Sequence, residues 1–452
     1  MANTAPWGHI WALCFASALT DCSLDAITIK PFRACRTNDG LVGLIACQDW
    51  NMLSLEQARK IAQTNPLSFL HIARPKVDCS EDTHPYDPEA GLKGRQNLQE
   101  FLKDNLLFHE KEPALYLYGR IKNNRLQVGI IGLVEVEDYL KGNIKRHEEI
   151  LPTKERKLRL YTELQRAQVD PVLLLHEKNK ELAEIVEAII HQTPHQAFYV
   201  DRAAHVVWVV KDKKTIHHIC ELFKNINTLY IGDGHHRTAA AAAMKEEGTP
   251  NDDVAHNYYM AGIFPFDQVT ISSFNRIFKD LNNHSEEEFL QELSQYFEIT
   301  RVKNSQDAVP NAPHVFGIYC RGNWYKATLK NGISRSYQQD IPMLDIAVLS
   351  SLVLKPFLNI DIYNPDDRTE FVAGMWGLEA LERDCKTNNW PLAIAFFPVR
   401  SETFSAVVNE GLVMPPKTTY FEPKIRPSLF TYTFDCCNDK AAECRKDPSC
   451  LS

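Results

Sequence analysis

No apolar run in this chain approaches the roughly 20 residues that a membrane-spanning helix needs, so no span and no membrane partner are expected. Basic excess is missing too. The formal net charge is −8 over 452 residues, with both signs spread along the chain, which offers no broad basic face to nucleic acid and leaves room only for a local basic pocket. Several catalytic signatures are absent: Gly-x4-Gly-Lys-Ser/Thr, Gly-x-Gly-x-x-Gly after a strand, His-Glu-x-x-His and Gly-x-Ser-x-Gly. An obvious P-loop kinase, dinucleotide-dependent dehydrogenase, zincin or α/β-hydrolase is thereby set aside. The twelve cysteines match no common zinc spacing. Most stand singly, as in an intracellular protein, whereas Cys436, Cys437, Cys444 and Cys450 crowd the end.

The chain divides by composition into an extension over 1–25, a body over 26–430 with two or more lobes, and a cysteine-rich tail over 431–452. Within the extension, Ile10–Leu19 is apolar and ends near Ala16-Ser17-Ala18, yet it lacks the positively charged start of a signal peptide. A cytoplasmic location is therefore expected.

Strand and helix patterns mix without regular βαβ alternation, which predicts an α+β fold with a mixed-sheet core. Leu53–Gln63 reads as a helix begun at Ser54, Ser68–Ile72 as a short strand, and 78–94, with its two prolines, as a loop. Ala114–Arg120 and Arg125–Val136 form a hairpin about Asn123-Asn124, and a second hairpin turns at Asp201-Arg202. Lys154–Gln168 is a charged helix, and Glu410–Lys424, interrupted by three prolines, reads as irregular.

The stretch Tyr230-Ile231-Gly232-Asp233-Gly234-His235-His236-Arg237-Thr238, followed by alanines to Ala243, stands out. It predicts a strand end, a Gly turn and a helix stopped at Gly248. Free N–H groups at the helix start, the dipole and the Arg237 fork together suit an anion, above all a phosphate. The same residues also suit plainer roles, with Asp233 as a helix cap and His235 and His236 as ordinary polar residues. A second group, Lys145-Arg146-His147-Glu148-Glu149, places cations, an imidazole and carboxylates side by side. Phosphoryl transfer to an alcohol uses such a mixture, although a solvated helix start would look similar. Arg33 after Lys30-Pro31-Phe32, and Lys417 and Lys424 in a proline-stiffened segment, are further candidate anion ligands.

These blocks resemble the domain of unknown function 1015 family. The resemblance is carried in order by Ile29-Lys30-Pro31-Phe32-Arg33-Ala34, by Asn65-Pro66 with Ser68–His71 and Arg74-Pro75, and by Ile144–Glu148. It continues through Tyr230–Arg237, Phe274-Asn275-Arg276 and Met414–Lys424. Two departures stand against it: Arg36-Thr37 replaces the family's usual Arg-Pro, and 1–25 and the tail have no counterpart. The resemblance implies a core related to the ParB/sulfiredoxin-like fold with additional α/β lobes. It also implies a kinase that phosphorylates free L-serine to O-phosphoserine with pyrophosphate and Mg²⁺. In that reading Glu148, His147 and Asp233 are catalytic, with Mg²⁺ on Glu148 or Asp233. Arg33, Lys145, Arg146, Gly234, His235, His236, Arg237, Thr238 and Lys417 hold phosphate and substrate. An ADP- or ATP-dependent serine kinase and a ParB-like nucleotide-binding switch are the alternatives; the oligomeric state is left open.

Overall fold

A computed structural model describes residues 26–47, 50, 53–84, 87–248, 254–334 and 344–436. The extension over 1–25, with its apolar segment, and the tail from residue 437 lie outside the described residues.

Nine strands build a mixed sheet: β1 (Ile29–Lys30), β2 (Leu115–Lys122), β3 (Arg125–Glu135), β4 (Ile144–Lys145), β5 (Val172–His176), β6 (Gln196–Val200), β7 (Ala203–Val210), β8 (Leu229–Asp233) and β9 (Tyr258–Pro265). Their order is β4-β8-β5-β9-β3-β2-β7-β6, with β1 on β3. The pairs β4–β8 and β5–β9 are parallel and the rest antiparallel. Both expected hairpins form. Asn123 and Asn124 at one turn and Asp201 and Arg202 at the other take positive φ, the backbone that matches a tight turn to the twist of its strands. β5 is buried along its whole length, as an apolar run covered on both faces should be.

A second, antiparallel sheet contains β10 (Thr270–Phe278), β11 (Phe297–Val302), β12 (Val315–Cys320), β13 (Asn323–Leu329), β14 (Thr369–Ala373), β15 (Leu392–Ala395) and β16 (Thr419–Glu422). The fold is α+β. The proline-rich segment over 410–424 is not irregular throughout: β16 pairs with the first half of β10, Thr270↔Glu422 through Ser273↔Thr419. Glu422 then reaches the first sheet. Its side chain accepts from Arg120 at 2.8 Å, and its carbonyl accepts from Gln127. This strand carries the closing motif to the hairpin end of β2 and β3.

Four helices pack in succession against one another: α1 (Leu55–Thr64), α2 (Leu70–Ala73), α3 (Pro88–Lys103) and α4 (Pro152–Gln165). Ser54 caps α1 through a reciprocal capping box with Gln57. The strand expected at 68–72 is instead the turn of helix α2. Ser68 Oγ accepts from the Leu70 N–H, and Phe69, Leu70 and Ile72 pack beside Ala58 and Phe101. The loop expected over 78–94 becomes helical from Pro88, because Asp87 caps the helix and a proline at its first position starts it rather than breaking it. Past residue 430 the packed body continues. Tyr432-Thr433 pairs with Ala167-Gln168, and Phe434 is fully buried. No helix among the described residues is long and apolar enough to cross a membrane.

Candidate active site

β8 ends at Asp233, Gly234 turns with φ 97°, and helix α5 (His235–Glu247) begins. No side chain caps that helix, so its first N–H groups and positive dipole end stay available. Gly232, Asp233, Gly234, His235, His236 and Arg237 line a cavity of about 670 Å³, together with Glu148, Lys417, Thr419 and Lys424. Elements from three parts of the chain meet there: the β8–α5 turn, the segment after β4, and the segment flanking β16.

Arg237 is clamped between carboxylates. It forms an ion pair with Asp170 and donates from Nη2 to Asp233 Oδ2 at 3.0 Å, while Lys424 Nζ lies 3.1 Å from Asp233 Oδ1. The turn glycine makes this clamp possible. A Cβ on Gly234 would meet Arg237 Nε at 2.8 Å and Nη2 at 2.9 Å. Gly234→Ala is therefore expected to destabilise the fold by about 1–2 kcal/mol through left-handed backbone strain and to push Arg237 off its carboxylates. Chemical denaturation checks this; an unchanged midpoint would contradict it.

Glu148 lies in the cavity with its carboxyl pushed up from the ordinary value. Burial is the main cause, and the nearby Asp233 charge adds to it; Lys417, by its charge and its backbone N–H, and the charge of His236 act the other way. Glu148 Oε2 lies 4.0 Å from His235 Nδ1. A half-buried carboxylate with a raised pKa beside an open helix N-terminus is the arrangement that a general base requires.

His147 has a different task. It is buried, and its Nδ1 lies 2.8 Å from the Ile231 carbonyl, which fixes the proton there. Nε2 then accepts from the Thr419 hydroxyl at 3.2 Å, and the His147 carbonyl accepts from the Met414 N–H. His235, Phe404 and Phe421 surround the ring. This imidazole ties β8 to β16 and so holds both halves of the site in register. Burial lowers its pKa to about 4 and pushes that of His235 well below the ordinary value.

Histidines held neutral in the fold bind protons more readily once unfolded. Their contribution is present above the unfolded value near 6.5 and is lost as pH falls toward about 4, at roughly 1.4 kcal/mol per pH unit for each group. His176, also lowered to about 4 by burial, adds to the effect. Denaturation midpoints are thus expected to drop clearly between pH 7 and pH 5; a flat profile would refute this.

Not every expected site residue meets the cavity. Arg33 lies by His109, whose pKa its charge helps to lower. Lys145 bonds Asn409 at 2.9 Å, Arg146 is exposed, and Thr238 is buried against the Gly234 carbonyl. With His147, these residues do not line it. Asp233, expected as a possible Mg²⁺ ligand, has both oxygens engaged by cations. Among the described residues no group of three or more His, Cys, Asp or Glu is arranged to hold a metal. The residues present therefore do not make a magnesium cage by themselves. Asp170, Lys76, Lys154 and Lys157 were missed as site residues. All line the cavity, and only the run of positive charge in the sequence of α4 hinted at the last two.

Fold and cavity together define an α+β protein with a cavity at an uncapped helix start. The family model described as a protein of unknown function (DUF1015) matches residues 29–349, and the chain belongs to that family. No curated protein matches it. Similar solved structures include SbnI with C-terminal truncation from Staphylococcus aureus, 12% identical, covering 69% of this chain and 91% of that one, with a TM-score of 0.35. A free serine kinase mutant in complex with AMP is 14% identical over 66% of this chain and 91% of that one, TM-score 0.34. Another mutant, in complex with ADP, is 14% identical over 68% and 95%, TM-score 0.33.

Proposed function

We propose that this chain is a phosphotransferase that moves a phosphoryl group from inorganic pyrophosphate to the hydroxyl of free L-serine. The observation that carries the reading is the placement of Glu148, with its raised pKa, in one cavity with the uncapped start of α5. In the proposed step the serine hydroxyl oxygen forms a bond to the transferred phosphorus, and its proton passes to Glu148. The bond from that phosphorus to the bridging oxygen breaks, and the electron pair leaves with orthophosphate. N–H groups of α5, His236 and Lys417 stabilise charge on the transferred group. Arg237 and Asp233 hold the turn in shape. Magnesium would supply further neutralisation of phosphate charge; the carboxylates that would help to hold it are Glu148 and Asp233.

Serine as acceptor and pyrophosphate as donor come from the family resemblance. The size of the cavity favours a second reading, in which ADP or ATP is the donor, because about 670 Å³ leaves room for a nucleoside beside serine and a phosphate chain. Incubating the purified chain with a panel of hydroxy amino acids and pyrophosphate, ADP or ATP, with mass-spectrometric detection of phosphorylated product, decides between them. Product from none of the donors would end the kinase reading.

A further inference from the structure

Besides the Gly234–Arg237 turn, the cavity carries a second patch of positive charge: Arg74 and Lys76 from the chain after α2, and Lys154 and Lys157 from α4. Among the described residues none of the four pairs with a carboxylate. Lys157 lies over the Tyr161 ring at 5.5 Å. Arg74 is fixed through Nη1 alone, which donates to the carbonyls of Trp50, Leu53 and Ser54. Burial lowers the Lys157 pKa, and the charges of Lys76 and Arg74 lower it further. Lys154 lies near enough to His236 to lower its pKa as well, so the patch runs up to the helix start. Like charges crowded together without a counter-ion repel one another, and in a protein of net charge −8 such a patch is most simply explained by an anionic ligand that neutralises it.

Two of the site's other cations are already engaged: Arg237 is shared by Asp170 and Asp233, and Lys424 is held by Asp233. Lys417, beside Glu148, serves the transferred group, so the charge of a further phosphate finds its compensation on the Arg74–Lys157 side.

We propose that Arg74, Lys76, Lys154 and Lys157 bind the non-transferred phosphate of a condensed-phosphate donor, whose transferred phosphate sits at the start of α5. The inference rests on the phosphotransfer reading and deepens it: the donor must carry at least two linked phosphates, and the four cations take up the charge that grows on the leaving phosphate as the bridging bond breaks.

Calorimetric titration of the full chain with pyrophosphate, ADP and orthophosphate tests this without requiring turnover. The wild-type chain is expected to bind a condensed phosphate about tenfold or more tightly than orthophosphate. The double variant Lys76→Gln/Lys157→Gln should lose about tenfold or more of that affinity, with an unfolding midpoint in the absence of ligand close to wild type, since both side chains are partly exposed. Preference for pyrophosphate or for ADP identifies the inorganic or the nucleotide source, and either supports the proposal. Equal affinity of variant and wild type, or no preference for condensed phosphate over orthophosphate, overturns it. Binding of this kind without any phosphorylated product would leave the phosphate site standing and defeat only the kinase reading.

Discussion

Glu148→Gln should give a folded protein that still binds donor and acceptor and turns them over about 10²–10⁴-fold more slowly, the usual contribution of a positioned general base. Glutamine keeps the shape of the side chain, and its amide oxygen can still accept the Lys417 N–H that now bonds the carboxylate. What it cannot do is take the hydroxyl proton. The pH profile separates this from a packing defect. In the wild type, activity should fall as pH drops through the carboxyl pKa, which burial holds above the ordinary 4.5, because only the ionised form accepts a proton. The variant should lack that limb, keep its residual rate across the same range, and show little change in substrate KM. A variant as active as wild type would remove Glu148 from the chemistry.

Arg237→Ala should abolish turnover and also weaken the fold. Asp170 and Asp233 now share one guanidinium. Without it, Asp170 is left largely buried with no cation, and Asp233 keeps only Lys424. Loss of charge-assisted hydrogen bonds of this kind costs about 1.5–3 kcal/mol, toward the lower end here because Asp233 is well exposed to water. The larger consequence is for the turn. With two negative charges beside the start of α5 and no fork to neutralise them, a phosphate would be repelled from the position the helix offers. Arg237→Lys should rescue little, since an ammonium cannot span both carboxylates. Denaturation and product formation measured on the same preparations check the pair of effects. A fully active Arg237→Ala would contradict the assignment of the turn.

Where the sequence carries local signals, the fold was legible. The turn asparagines, the Ser54 cap and the Asp233-Gly234 strand-to-helix turn each have a short-range cause, and each element lies where its residues put it. The errors arose where tertiary packing outvoted local pattern. Ser68–Ile72 has the composition of a strand, but its apolar side chains fit a helical cluster. Pro415, Pro416 and Pro423 suggested irregular chain, while the four residues Thr419–Glu422 between them find a partner in β10.

The site was legible in the same uneven way. The glycine turn, Arg237, Glu148 and Lys417 belong to compact motifs and converge. His147 looked catalytic because it adjoins Glu148, yet the chain bends at these two residues, and this side chain points into the core toward Ile231 and Thr419. Asp170 lies 67 residues from Arg237, and nothing in the sequence marks it as that arginine's partner. The two lysines of α4 read only as part of a charged helix until the fold placed them at a cavity.

The most direct measurement is phosphorus NMR of the purified chain with pyrophosphate, L-serine and Mg²⁺. The account predicts that the pyrophosphate signal is replaced by O-phosphoserine and orthophosphate in equal amounts, and that Glu148→Gln nearly stops both. Pyrophosphate left unchanged, or split into orthophosphate alone with no phosphoserine, would contradict it.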